Sequence, residues 1–137
     1  MWFQPQLTFN GECEAAFTLY ARCFEGAVSE LLTYGKSPMA QQTAPALHDR
    51  IMHATLSIGG TAVLSGADVA PEAYKKPAGL DVLINLDDAA KAERIFAMLA
   101  EGGTVVLPLQ QTFWATRFGI LVDRFGTPWR LNCGPQP

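Results

Sequence analysis

His53 stands in the run Ile51–Ile58, the one histidine placed inside a strand-like stretch. Imidazole titrates near neutrality, so at that place it serves as a general base or as a ligand-binding donor. A structural hydrogen bond from the same ring is the competing reading. His48 lies five residues earlier, across a loop-to-strand junction, and that spacing gives little support to a metal-binding pair. Phe113-Trp114 offers an aromatic wall for a planar ligand, or else a core or dimer-interface contact. Asp123 opens Asp-Arg-Phe-Gly, where a carboxylate caps a turn more readily than it moves protons. Cys13, Cys23 and Cys133 are odd in number and lack Cys-x-x-Cys spacing, so reduced thiols in a cytoplasmic protein are expected. Cys23 falls on the buried stripe of a helix, a poor place for a nucleophile.

The elements that must position these residues follow from periodicity and punctuation. Gln4 to Phe9 reads as a short strand ended by Asn10-Gly11. Cys13 to Phe24 carries apolar residues at 13, 16, 17, 20, 23 and 24, which is helical spacing, and Gly26 stops it. Val28 to Tyr34 reads as a strand and Lys36 to Asp49 as a loop. Arg50 to Ile58 and Thr61 to Gly66 form a hairpin across Gly59-Gly60. After a loop from Ala67 to Pro77, Leu80 to Leu86 is a strand and Asp87-Asp88 starts the helix Ala89 to Glu101. Three further strands are Thr104 to Leu109, Phe118 to Val122 and Trp129 to Cys133.

Composition narrows the classes. The chain has 137 residues, 49% of them hydrophobic and 17% charged, which fits one folded domain and excludes a disordered chain. A net charge of −3 supplies no field for phosphate backbones, so no nucleic-acid partner is expected. No apolar run approaches the roughly 18 residues needed to span a bilayer, and no secretory signal is visible at Met1-Trp2-Phe3-Gln4-Pro5, so no membrane partner is expected.

The element order repeats. Ala16 and Ala92, Ala21 and Ala97, Gly26 and Gly102, and Leu7 and Leu83 all lie 76 positions apart. Near the module ends the offset falls to 66, matching Gly60-Thr61 with Gly126-Thr127. Each half therefore reads βαβββ, with module 1 at about residues 1–66 and module 2 at about 79–133 of a single α+β domain. Strand alternation then assigns faces. Met52, Ala54, Leu56 and Ile58 are expected against a helix, with His53, Thr55 and Ser57 on the opposite, cavity face and Thr55 opposing Leu64. In module 2, Ile120, Val122, Trp129 and Leu131 are assigned to the helix, and Asp81, Leu83, Asn85, Leu121, Arg130 and Asn132 to the cavity. The first strand fits less well: Leu7 and Phe9 fall on the cavity side, Gln6 and Thr8 on the helix side.

Two such modules resemble the vicinal-oxygen-chelate superfamily of glyoxalase I, bleomycin-resistance proteins and extradiol dioxygenases. Phe9-Asn10-Gly11, Arg50-Ile51-Met52-His53-Ala54, Gln111-Thr112-Phe113-Trp114 and Asp123-Arg124-Phe125-Gly126-Thr127-Pro128-Trp129 with Asn132 look like its PhnB branch, also described as 3-demethylubiquinone-9 3-methyltransferase-like. The resemblance implies a cupped mixed sheet and a homodimer. It also implies that metal-using members place ligands at positions here held by Pro5, Leu64, Asp81 and Arg130. Only Asp81 among these binds a divalent cation, since a guanidinium repels one and the others lack donors. A one-residue slip brings Gln4, Gln6 or Ser65 near, still a poor donor set. No Gly-rich loop follows the first strand to hold a nucleoside cofactor, so methyl transfer is not expected.

The expected function is binding of a small polar-aromatic or carboxylate-bearing molecule in the cup, with no catalytic metal and no cofactor. His53, Thr55, Asp81, Asn85, Trp114, Arg130 and Asn132 are the candidate ligand contacts, and His53 is the best candidate for catalysis. The alternative is a metal-dependent lyase, isomerase or dioxygenase using displaced residues. A dimeric scaffold with a filled cup is a third reading. An ion pair or shared water between Asp81 and Arg130 is expected in place of a cation, with loss of Arg130 alone costing more than loss of both.

Overall fold

The computed structural model describes residues 1–134. The chain divides into two compact units, the first Met1–Lys75 and the second beginning at Lys76. Unit 1 contains β1 (Gln6–Phe9), α1 (Cys13–Phe24), β2 (Ala27–Thr33), β3 (Ile51–Ile58) and β4 (Thr61–Asp68). Unit 2 contains β5 (Val82–Leu86), α2 (Ala89–Ala100), β6 (Thr104–Gln110), β7 (Arg117–Val122) and β8 (Pro128–Cys133). Each unit is a four-stranded mixed sheet, ordered β1-β4-β3-β2 in one and β5-β8-β7-β6 in the other. The first strand of each runs parallel to the last, and the remaining pairs are antiparallel. This is the α+β, twice-βαβββ arrangement.

Each helix covers one face of its own sheet. In α1, Cys13, Ala16, Phe17, Tyr20 and Cys23 are wholly buried. Phe17 meets Phe9 of β1 edge-on, with ring centroids 6.2 Å apart. In α2, Ala92, Ile95, Phe96 and Leu99 form the buried stripe that helical spacing places together. Glycines let the helices approach: a Cβ on Gly66 of β4 collides with the Phe17 ring, and one on Gly119 of β7 lies 2.7 Å from Phe96. Asp88 caps α2, its Oδ1 accepting from the Lys91 N–H at 3.1 Å. The left-handed residue that ends α1 is Glu25, at φ 54°, rather than Gly26.

Several face assignments differ from expectation, and two single-residue insertions account for those in unit 1. The β1–α1 connection has three residues, Asn10 to Glu12, where the β5–α2 connection has two, Asp87 and Asp88. Relative to the helices, β1 is therefore displaced by one position, and a one-residue slip exchanges the faces of a strand. Leu7 and Phe9 are buried on the helix side, while Gln6 and Thr8 lie on the open face. The second insertion is in β4. Leu56 pairs with Leu64 but Ser57 pairs with Ala62, so Val63 is the extra residue of a bulge. Thr55 consequently pairs with Ser65, and Leu64 packs toward α1. In unit 2, Leu121 pairs with Trp129 on the helix side and is fully buried. Ile120, opposite Arg130, is on the open face. The assignment of Leu121 to the cavity and of Ile120 to the helix is thus reversed.

Asp68 closes unit 1. Its carboxylate is 1% exposed and accepts three backbone N–H bonds. Oδ1 accepts from Gly11 at 2.8 Å and Cys13 at 3.0 Å, and Oδ2 from Ile51 at 2.9 Å. The α1 N-terminus lacks a side-chain cap of its own, so Asp68 performs that role from a distant strand. We expect Asp68→Ala to destabilise the protein by about 2–4 kcal/mol, because it strands three donors. Asp68→Asn, with one acceptor oxygen left, falls between. Urea unfolding followed by circular dichroism measures both, and wild-type stability in Asp68→Ala contradicts the assignment.

Candidate functional site

The open face of each sheet, away from its helix, carries the polar residues. On unit 1, β2, β3 and β4 bring Glu30, Thr55 and Ser65 into register across neighbouring strands. His53 stands two residues along from Thr55, on the same face. Its Nε2 lies 3.0 Å from Thr55 Oγ1 and 3.3 Å from Glu30 Oε2. One ring nitrogen is thus shared between a hydroxyl and a carboxylate. A base oriented for proton relay through both nitrogens is not what this geometry presents. Beside this group the Gln4 Nε2 donates to Ser65 Oγ, and the Ser65 N–H donates to Pro5 O at 3.0 Å. Those two bonds fix the chain entering β1 and leave Trp2 and Phe3 projecting. Trp2, Phe3, Gln4, Glu30, His53 and Ser65 are among the residues lining a cavity of about 590 Å³.

On unit 2, Arg130 Nε donates to Asp81 Oδ2 at 2.8 Å, so the expected ion pair forms. Asn132 Nδ2 donates to Asn85 Oδ1 at 3.3 Å. Phe118, the cross-strand partner of Asn132, supports Trp114 at a ring-centroid distance of 5.2 Å, steeply tilted. Asn132 is 6% exposed, and its Oδ1 is a buried acceptor with no hydrogen-bond partner among the described residues. An orphaned buried carbonyl of this kind costs on the order of 1–3 kcal/mol, so it is the one polar atom here that a donor on a ligand would relieve.

The candidate contacts therefore fall into two groups, described unit by unit. Unit 1 brings His53 and Thr55 together, and unit 2 brings together Asp81 with Arg130, Asn85 with Asn132, and Trp114 near Asn132 through Phe118. Glu30 was not among the expected contacts. A lone carboxylate in the apolar run Val28–Thr33 was its only signal, and the β2–β3 irregularity between Val28 and Glu30 decides where it points. Phe118 was likewise missed because its face depends on the β7 register, whereas Gln4 and Ser65 had entered only as the positions that a one-residue slip would bring near.

Other residues resolve into structural parts. His48 Nε2 lies 3.0 Å from both Ala40 O and Thr43 O, holding the loop before β3. Asp123 Oδ1 accepts from Phe125 N at 2.9 Å and Thr127 N at 3.0 Å, and Oδ2 accepts from Trp129 Nε1 at 2.9 Å. It is a turn cap, as its sequence context suggests. All three cysteines are buried.

The positions that metal-using relatives would fill do not suit a cation. The bulge and the longer β1–α1 connection place Gln4 and Ser65, bonded to one another, where unit 2 has Asp81 and Arg130. Amide, hydroxyl and guanidinium groups make a poor donor set, and the one carboxylate is already paired. Among the described residues, no three His, Cys, Asp or Glu side chains gather in a way that holds a metal ion.

Comparison with known proteins gives consistent matches. The pattern of the family described as 3-demethylubiquinone-9 3-methyltransferase matches residues 2–132. The structure of PA1353 from Pseudomonas aeruginosa is 41% identical, covers 98% of each chain and superposes with a TM-score of 0.89. The PhnB protein of Bacillus cereus is 20% identical, covers 98% of this chain and all of its own, and has a TM-score of 0.81. Protein YjdN of Escherichia coli K12 is 27% identical over 99% of this chain and 97% of its own length.

Side-chain exposures of 28% for Asp81 and 45% for Arg130 mean that water screens their pair. The penalty for removing Arg130 alone is accordingly small. A double-mutant cycle with Asp81→Asn and Arg130→Gln should return a coupling of about 0–1 kcal/mol, and several kcal/mol would show that the site is far drier than described. For the thiols, burial, reinforced by the Asp68 and Glu14 carboxylates, pushes Cys13 up from 9.0 to about 12. Burial likewise raises Cys133. The unfolded chain ionises first, so the Cys13 contribution is complete below pH 9 and is lost as pH rises toward 12. Cys13→Ala should flatten the fall of unfolding free energy across that window, and a disulfide reagent at pH 8 should label the native thiols only after denaturation.

Proposed function

The chain belongs to the family described as 3-demethylubiquinone-9 3-methyltransferase, the PhnB-like branch of the glyoxalase-related vicinal-oxygen-chelate superfamily, and from that premise we propose that it binds a small polar-aromatic molecule without a catalytic metal. The observation that carries this reading is the 590 Å³ cavity on unit 1, where two projecting aromatics stand over a hydrogen-bonding floor of Gln4, His53, Thr55 and Ser65. A volume of this size suits a small organic ligand, and few convergent polar groups among apolar ones fix orientation.

Methyl transfer is not part of the proposal, despite the family description. The backbone N–H groups of Gly11 and Cys13 in the β1–α1 connection are consumed by Asp68, leaving no cradle for a nucleoside cofactor at that turn. The alternative, a metal-dependent lyase, isomerase or dioxygenase, draws on Glu30 and His53 as two neighbouring donors, short of the three protein ligands usual in catalytic zinc sites.

A homodimer in the cytoplasm completes the reading. Phe113 is 96% exposed and Val106 is 59% exposed, apolar surface that a second copy would cover. Three cysteines outside disulfides support a reducing compartment, and no helix among the described residues is long and apolar enough to cross a membrane.

Native mass spectrometry of protein purified from its own host tests the whole proposal. The expected spectrum shows twice the 14.9 kDa chain mass with a retained small organic molecule. A stoichiometric divalent metal in its place, or a monomer free of ligand, would overturn it.

A further inference from the structure

We propose that the cavity on the open face of unit 1 recognises a cationic amine carried on an apolar or aromatic body, an inference that rests on the ligand-binding role proposed for that cavity. The ionisable residues among its lining are Glu30 and His53, and the lining contains no Lys or Arg. An anionic ligand would meet the Glu30 carboxylate with no fixed counter-charge. A cation meets attraction from two sources.

The first source is Glu30 itself. Its Oε2 contacts His53 Nε2 at 3.3 Å, while Oε1 has no partner among the described residues. The carboxylate is held at the cavity wall by its place on β2, opposite Thr55, and one of its oxygens is available to an ammonium group. The second source is the aromatic pair. Trp2 and Phe3 are 81% and 93% exposed, and both line the cavity rather than the core. Their ring faces carry the negative quadrupole that attracts a desolvated ammonium, with Trp the strongest of the aromatic partners. The chain that bears them is pinned directly behind by the Gln4–Ser65 and Pro5–Ser65 hydrogen bonds, which fix the point from which the rings project. Thr55, 6% exposed and bonded to His53, keeps the imidazole against Glu30 and fixes the direction of that carboxylate.

A matched ligand series tests the inference on the full chain. Benzyltrimethylammonium, benzyl alcohol and benzoate share one ring and differ in charge, and the indole N–H signal of Trp2 in nitrogen-15 NMR reports binding at the cavity itself. The expected result is a dissociation constant about fivefold or more lower for benzyltrimethylammonium than for benzyl alcohol, with benzoate weakest. Glu30→Gln should remove most of that preference, bringing the benzyltrimethylammonium and benzyl alcohol constants close together, and the exposed position of Glu30 keeps the fold out of the comparison. Equal or tighter binding of benzyl alcohol or benzoate overturns the cationic specificity while preserving a ligand cavity. A preference that survives Glu30→Gln overturns the role of the carboxylate. No movement of the Trp2 signal with any of the three overturns both the specificity and the cavity reading.

Discussion

Unit 1 is organised around one buried carboxylate. Asp68 terminates β4 and receives the N–H groups of the β1–α1 connection and of the first residue of β3, so three chain segments converge on two oxygens. A charge buried to 1% exposure is tolerated because backbone donors replace its hydration. The backbone carbonyl of the same residue accepts from Tyr34 Oη at 2.8 Å, which ties the long β2–β3 connection to the same point. Everything on the open face inherits its register from this anchor, because shifting β4 by one residue would turn Ser65 inward and Gly66 outward. The close approach of Phe17 to Gly66 enforces the same choice sterically. Among the described residues of unit 2, the buried carboxylate of Asp123 caps a local turn instead, and α2 is capped by Asp88 from its own shorter connection.

Much of the fold was legible from the residues. The α1 boundaries, the Gly59-Gly60 hairpin and the buried stripe of α2 follow directly from spacing and turn chemistry, and the repeat of element order announces two βαβββ modules. What eluded subtraction was local insertion. A helix tolerates comparison at a fixed offset because its register is set by its own hydrogen bonds. A strand face is binary, so one extra residue in a connection or one bulge inverts it. The identity of Leu7 with Leu83 at the helix offset is therefore a coincidence of sequence: one side chain is 6% exposed and the other 53%. Val63 is invisible for the same reason, since its apolar type suits either a paired or a bulged place.

The site was legible in proportion to its independence from those insertions. Asn85 and Asn132 face each other across the bulge-free β5–β8 pairing, and Asp81, just before β5, reaches Arg130 on the same face, so alternation suffices to place both pairs. His53 and Thr55 share a strand, so their common face needs only the period of two. Glu30 required the β2–β3 register, which changes next to it, and nothing in Val-Ser-Glu-Leu-Leu indicates where that change falls. Trp114 sits in the β6–β7 connection, where no period applies, and its position is set by the Phe118 ring.

The two halves solve the same local problem with different chemistry. At matched places on the open faces, unit 1 sets a neutral amide against a hydroxyl, and unit 2 sets a carboxylate against a guanidinium. Each pair satisfies its own polar groups, and each forms beside the parallel junction of the first and last strands of its module. Neutral partners leave the character of the unit 1 cavity to what surrounds them, Glu30 and two aromatics. A paired Arg instead keeps its remaining N–H donors directed outward at fixed geometry. The two units thus share a scaffold while each open face has its own electrostatic character. Such divergence is physically inexpensive, because these side chains are held by pairwise bonds on an open face and not by the packed core beneath it.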